Sequence, residues 1–190
     1  MQASIHFIQA TETHTMSHSH QALLLIDIQM DYFAGGMFPL HDPEGTLSRI
    51  EQAIQKAHAA GMPIVHIQHV VDPARGPAPF FNADSEGVAI HPRILAAAPD
   101  APIVIKRHAD AFVGTTLEAT LSQLGVSELF VAGMMTHNCV THTAISRSAD
   151  RYAKVSILGD CCCTVSEMLH QIALSAVATR LQVLSMAEAF

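Results

Sequence analysis

Basic residues are scarce in this chain. Lys and Arg number 10 against 17 Asp and Glu in 190 residues, giving a formal net charge of −7. Binding nucleic acid requires a basic face to neutralise phosphates, so this balance argues against such a partner. Long apolar runs are missing too. The cleanest one near the start is Ala22-Leu-Leu-Leu-Ile26, far short of the roughly 20 residues that span a bilayer. The first residues lack a basic segment followed by an apolar one, so no signal peptide is read there. A cytoplasmic protein with no membrane partner is the expectation. Cysteine is sparse and poorly spaced for bridging: Cys139 stands alone, and Cys161, Cys162 and Cys163 are contiguous. That is neither a secreted disulfide framework nor a zinc ribbon. Neighbouring cysteines bridge only with strain, and all four read as free thiols. The glycine fingerprints of dinucleotide and P-loop phosphate binding are also lacking. With 49% apolar and 14% charged residues, the chain is a globular one, long enough for a single well-filled domain.

Residues 1–20 read as an extension preceding a domain at 21–190. His14, His18 and His20 form a histidine-rich tract whose simplest reading is a solvated tail, and Met16 is a candidate start of the native chain. From residue 22 the pattern alternates. The apolar run 22–26 has the character of a central parallel strand covered on both faces. Asp42 and Pro43 open a helix with Leu47, Ile50, Ala53, Ile54 and Ala57 on one face, closed by Gly61. Strands follow at 63–69, 102–105, 129–132, 154–158 and 181–184. Helices are expected at 92–98, 117–124, 138–149 and from Ser166 onward. The long segment 72–91 reads as a lid or binding loop. Such alternation predicts a parallel α/β sheet with helices on both faces.

Three reactive side chains stand just beyond strand ends: Asp27, Lys106 and Cys139. Ligands of open parallel sheets sit outside the carboxyl ends of the strands, so neighbouring strands would bring these groups into one crevice. Cys139 opens the helix expected at 138–149, whose free N–H groups and dipole favour thiolate. A lysine cation would do the same, and Asp27 can carry the thiol proton. His69, at the end of the second strand, either reaches this crevice or serves the core.

The blocks Leu24-Leu-Ile-Asp-Ile-Gln-Met-Asp-Tyr-Phe33, Ile105-Lys-Arg-His-Ala-Asp-Ala-Phe-Val-Gly-Thr-Thr-Leu117 and Gly133-Met-Met-Thr-His-Asn-Cys-Val140 resemble the isochorismatase-like cysteine hydrolases over roughly residues 21–185. That resemblance implies a three-layer α/β/α sandwich around a mostly parallel six-stranded sheet, and a homo-oligomer such as a dimer or tetramer. It implies an Asp27–Lys106–Cys139 triad, a non-proline cis peptide at Met134–Met135, and an oxyanion hole built from the Met135 and Cys139 N–H groups. It further implies hydrolysis of a C–N bond, amide or ureido, in a small molecule through a thioester. A vinyl-ether hydrolase and a non-catalytic thiol-responsive protein of the same fold stand as alternatives. Metal-bearing nicotinamidases carry Asp-x-His after the second strand. Gln68-His-Val-Val-Asp-Pro-Ala74 lacks that pattern, so neither metal nor other cofactor is expected. The substrate wall is expected from residues 72–91 with Phe33, Phe80, Phe81, Phe112, Met134 and His137. The triple cysteine reads as small buried hydrophobes, with a redox partnership to Cys139 as the other reading.

Overall fold

The computed structural model describes residues 20–190. The tail at 1–20, with His14, Met16 and His18, lies outside them except for the exposed His20. Six strands, β1 (Gln21–Ile26), β2 (Ile64–His69), β3 (Ile103–Lys106), β4 (Glu128–Met134), β5 (Lys154–Cys163) and β6 (Gln182–Leu184), form one sheet in the order β3-β2-β1-β4-β5-β6. Every neighbouring pair in it is parallel. Helices α1 (Pro43–Ala59), α2 (Pro92–Ala97), α3 (Leu117–Gln123), α4 (Thr141–Ala144), α5 (Glu167–Val177) and α6 (Met186–Ala189) complete the three layers. No helix among the described residues is long and apolar enough to cross a membrane.

β1 is the hub because it carries apolar side chains on both faces. Leu23 and Leu25 pack with Leu47, Ile50 and Ile54 of α1. Ala22, Leu24 and Ile26 pack on the other side with Leu117 and Leu121 of α3. All are essentially without solvent exposure, and each leucine or isoleucine so buried contributes about 1.5–3 kcal/mol relative to an exposed one. The order of the sheet reverses direction at β1, which places the crevice of a doubly wound sheet above the β1–β4 boundary.

Four local expectations need correction. Asp42 precedes α1 in a left-handed conformation (φ 51°) and makes no capping bond from its side chain. Its carboxylate instead meets Arg49 Nη2 at 3.0 Å. The fifth strand does not stop at residue 158 but runs through Gly159 and Asp160 to Cys163. It does so by an irregularity in its ladder: Val131 pairs with Ile157 and Gly133 with Cys162, so β5 spends more residues than β4 over the same stretch. The helix expected over 138–149 is a π-helical turn (Thr136–Val140) followed by the four-residue α4 and, later, a 3-10 turn at Ala149–Arg151. Finally, the chain ends in α6, unforeseen in the sequence, with a capping box between Ser185 and Glu188.

Candidate active site

Four adjacent strands each deliver one polar side chain to the same place. Lys106 ends β3, and His69 beside it ends β2 in direct register. Asp27 follows β1, its N–H donating to the Ile67 carbonyl at 3.0 Å. Its backbone is left-handed (φ 49°), a conformation that aspartate tolerates better than most residues. Cys139 lies in the π-helical turn after β4. That turn starts beside β1 because Gly133, paired with Ile26, has φ 126° and no side chain; a Cβ there would lie 2.1 Å from the Ile26 carbonyl oxygen. Met134–Met135 is a cis peptide. The Met135 carbonyl accepts from the N–H groups of Asn138 (3.0 Å) and Val140 (3.3 Å), which flank Cys139.

The ammonium of Lys106 is the centre of the site. Asp27 Oδ2 is 2.8 Å from Nζ, Cys139 Sγ 3.2 Å, His69 Nδ1 3.0 Å and the His108 carbonyl 3.0 Å. Asp27, Lys106 and Cys139 are buried, at 0%, 0% and 1% exposure, whereas the His69 side chain keeps 19%. Burial alone would weaken the ammonium, but the neighbouring Asp27 charge outweighs it and holds Lys106 above its ordinary range. Cys139 goes the other way from the thiolate expected of a helix start. Burial and the neighbouring Asp27 charge push its thiol well up, against the opposing pull of Lys106. With only a π turn and a four-residue helix behind it, the helix-terminus contribution is small.

Two residues that the sequence reading passed over hold this constellation in place. Gln29 is fully buried. Its Oε1 accepts from the His69 N–H at 2.7 Å, and its Nε2 donates to the carbonyls of His69 (2.9 Å) and Val88 (2.7 Å). Asp31, also buried, accepts from the N–H groups of Met37 (3.1 Å) and Phe81 (2.7 Å), and so ties the segment after β1 to the long loop. Their signal was position: both follow Asp27 within the segment Leu24-Leu-Ile-Asp-Ile-Gln-Met-Asp-Tyr-Phe33. Asp27, His69 and Cys139 each offer a ligand atom, all within 4.8 Å of one another. The Lys106 ammonium lies against all three of these residues, so the cation among them is the protein's own.

The expected substrate wall is only partly brought together. Phe33, Phe81 and Met134 are buried in the layer that includes α1, with Phe80 packed against it. Tyr32, unnoticed in the sequence, sits among them, 4.7 Å from the Phe81 ring and 5.6 Å from that of Phe80. Its hydroxyl is pushed far up by burial and then by the charge of Asp27. Phe112 is elsewhere: it packs on the other side of the sheet, 5.9 Å from Tyr152. His137 turns toward Thr164, with Nδ1 2.6 Å from Oγ1. A cavity of about 300 Å³ adjoins that contact, lined by His41, Arg49, Thr164 and His170 among others. Cys161, Cys162 and Cys163 are free and buried. Burial pushes the Cys161 and Cys163 thiols up to about 12, and Cys162 donates to the Leu158 carbonyl at 3.2 Å.

Residues 21–189 match the isochorismatase domain model. An uncharacterised isochorismatase family protein of Bacillus subtilis is 34% identical over 146 residues, covering 76% of this chain and 78% of the relative. The maleamate amidohydrolase of Pseudomonas putida is 32% identical over 137 residues, covering 65% of this chain and 63% of that enzyme. Among solved structures, a putative isochorismatase hydrolase from Oleispira antarctica superposes with a TM-score of 0.79 at 31% identity, over 90% of this chain and 96% of the other.

Proposed function

The chain belongs to the isochorismatase family of hydrolases, and on that premise we propose that it cleaves the C–N bond of a small amide or ureido compound, with Cys139 as nucleophile. The observation that carries this reading is the buried ammonium of Lys106 held 2.8 Å from Asp27 and 3.2 Å from Cys139. A carboxylate, a cation and a thiol in mutual contact can move a proton and an electron pair without outside help. The similarity to an amidohydrolase supports C–N cleavage as the reaction.

In this scheme the resting thiol is protonated, as its burial requires. Asp27 takes the proton as sulfur attacks the substrate carbonyl carbon; its Oδ1, which has no hydrogen-bond donor among the described residues, is open to receive it. Lys106 stabilises the developing thiolate and holds Asp27. The Met135 and Cys139 N–H groups face the tetrahedral oxyanion. Asp27 then gives its proton to the leaving nitrogen as the C–N bond breaks, leaving a thioester. Water attacks the thioester carbon, passing a proton through Asp27 to the departing sulfur, and the acid product leaves with the thiol restored. Phe33, Phe80, Phe81 and Met134, with Tyr32, form the apolar side of the substrate pocket, and a small, partly apolar substrate fits their character. The working form is a homo-oligomer.

Ammonia release from a panel of small primary amides and ureido compounds tests the proposal. Cys139→Ala is expected to abolish turnover of whichever compound is active while leaving the circular dichroism spectrum intact. Undiminished release by that variant would overturn Cys139 as nucleophile.

A further inference from the structure

Lys106 has more polar neighbours than hydrogens. An ammonium carries three N–H groups, and four polar atoms stand within 3.2 Å of Nζ: Asp27 Oδ2, His69 Nδ1, the His108 carbonyl and Cys139 Sγ. The hydrogen bonds of the ammonium go to His69, the His108 carbonyl and Cys139, while Asp27 Oδ2 meets it as a charge, without hydrogen-bond geometry. Two neutral acceptors thus hold two of the hydrogens and leave the third on sulfur, where the bond strengthens once sulfur becomes anionic. The His108 carbonyl belongs to the backbone. The imidazole is the acceptor on a side chain, and the one whose capacity to accept depends on pH.

We propose that His69 is a positioning residue of the site: its neutral ring steers the Lys106 ammonium through Nδ1, and protonation of that ring sets the acid limit of Cys139 reactivity. The inference rests on the reading of Cys139 as the nucleophile.

The placement of His69 is built rather than incidental. Its backbone N–H and carbonyl are both gripped by the buried Gln29 amide, at 2.7 and 2.9 Å, which fixes where the ring starts. Sheet order sets it between Lys106 and Asp27. Its Nδ1 lies 3.8 Å from Asp27 Oδ2, beyond hydrogen-bond reach, and 3.0 Å from Lys106 Nζ, so the lysine is the partner that Nδ1 serves. An accepting Nδ1 puts the ring's own hydrogen on Nε2. The Phe81 ring is 5.9 Å away. The charges facing the imidazole are Lys106 from β3, Asp27 from the end of β1, and His108 from the segment after β3, with the Cys139 sulfur from the turn after β4. Burial and then the lysine charge lower the affinity of His69 for a proton, with Asp27 opposing. The ring is therefore neutral at neutral pH and charges only on acidification. When it does, the acceptor becomes a donor, two cations meet at 3.0 Å, and the ammonium loses the arrangement that serves sulfur.

The test needs no substrate. The rate of iodoacetamide alkylation at Cys139, read on its peptide by mass spectrometry, is followed from about pH 8 to about pH 5 across the titration range of histidine. It is done on the whole protein, on His69→Asn and on His69→Leu. Asn offers an uncharged oxygen near the place of Nδ1; Leu offers no acceptor. In the acid range the ratio of wild-type to Asn rates is expected to fall by about tenfold per pH unit, the signature of one extra proton, and to be flat above pH 7. Asn is expected to recover most of the reactivity that Leu loses at pH 8. Parallel pH profiles for wild type and His69→Asn would overturn the role of His69 while leaving Cys139 as nucleophile. No labelling of native Cys139 at any pH, with full labelling in urea, would overturn the nucleophile reading and this inference with it. If His69→Leu fails to fold, the wild-type to Asn comparison alone decides.

Discussion

Replacing Lys106 by Met would keep the apolar stem and remove the charge, and its cost follows from the burial of its partner. Asp27 has no solvent exposure and its nearest cation is the Lys106 ammonium at 2.8 Å. At an effective dielectric near 20, that contact is an attraction of about 6 kcal/mol. The variant does not lose all of it, because the stranded carboxylate escapes by taking a proton. For a carboxyl of ordinary affinity that protonation costs about 4 kcal/mol at pH 7 and about 1.5 kcal/mol at pH 5. The smaller of the two penalties governs. Lys106→Met is therefore expected to lose about 4 kcal/mol relative to wild type at pH 7, within the range of about 3–5 kcal/mol for breaking a buried pair, and markedly less at pH 5. The double variant Asp27→Asn/Lys106→Met should recover most of the loss and show little pH dependence of the difference. Asn is the choice because position 27 has φ 49°, where a bulky apolar residue would be strained. Urea unfolding with linear extrapolation at the two pH values provides the measurement. A single variant as stable as wild type, or a deficit that does not change with pH, would refute the buried ion pair as described.

Two further outcomes follow from the same physics. Gln29→Ala removes three hydrogen bonds to the His69 and Val88 backbones, at about 1–3 kcal/mol for each buried group left unpaired; the His69 amide should exchange faster with solvent deuterium, and unchanged protection would contradict the clamp. His66 is buried, with Nε2 3.0 Å from the Ala98 carbonyl and Nδ1 without a partner among the described residues, so charging it in the fold is unfavourable and burial lowers its proton affinity. Stability is thus intact above the ordinary histidine range and lost as pH falls through it toward the lower folded value. His66→Gln, which retains a donor for Ala98, should reduce that slope by up to about 1.4 kcal/mol per pH unit, as measured by urea unfolding between pH 7 and pH 5.

What the sequence discloses about this protein follows from how parallel sheets are built. A strand covered on both faces must be apolar throughout, so the charged residue that follows it is conspicuous; Asp27 and Lys106 stand out for that reason, and the structure sets them in contact. The β5 extension was hidden because Gly159 and Asp160 are poor strand formers, and only the ladder with β4 keeps them in the sheet. The ionisation of Cys139 was hidden because chain pattern announces a helix start but not the desolvation that outweighs it. His69 was ambiguous for a third reason. Whether a histidine at a strand end meets a lysine depends on the β2–β3 register, and on a glutamine forty residues earlier that grips its backbone.

The central position of β1 also dictates an order of assembly. Its partner β2 is synthesised within the next fifty residues, but the strand on its other side begins at Glu128, which pairs with Gln21. During synthesis one edge of the most apolar strand therefore waits, open to pairing, for about a hundred residues of chain. Contacts so distant along the chain form slowly, and an unpaired apolar edge is the kind of surface that associates with other chains. Closing that edge is the same event that carries Cys139 to Asp27, so one pairing both covers the open strand and assembles the polar cluster.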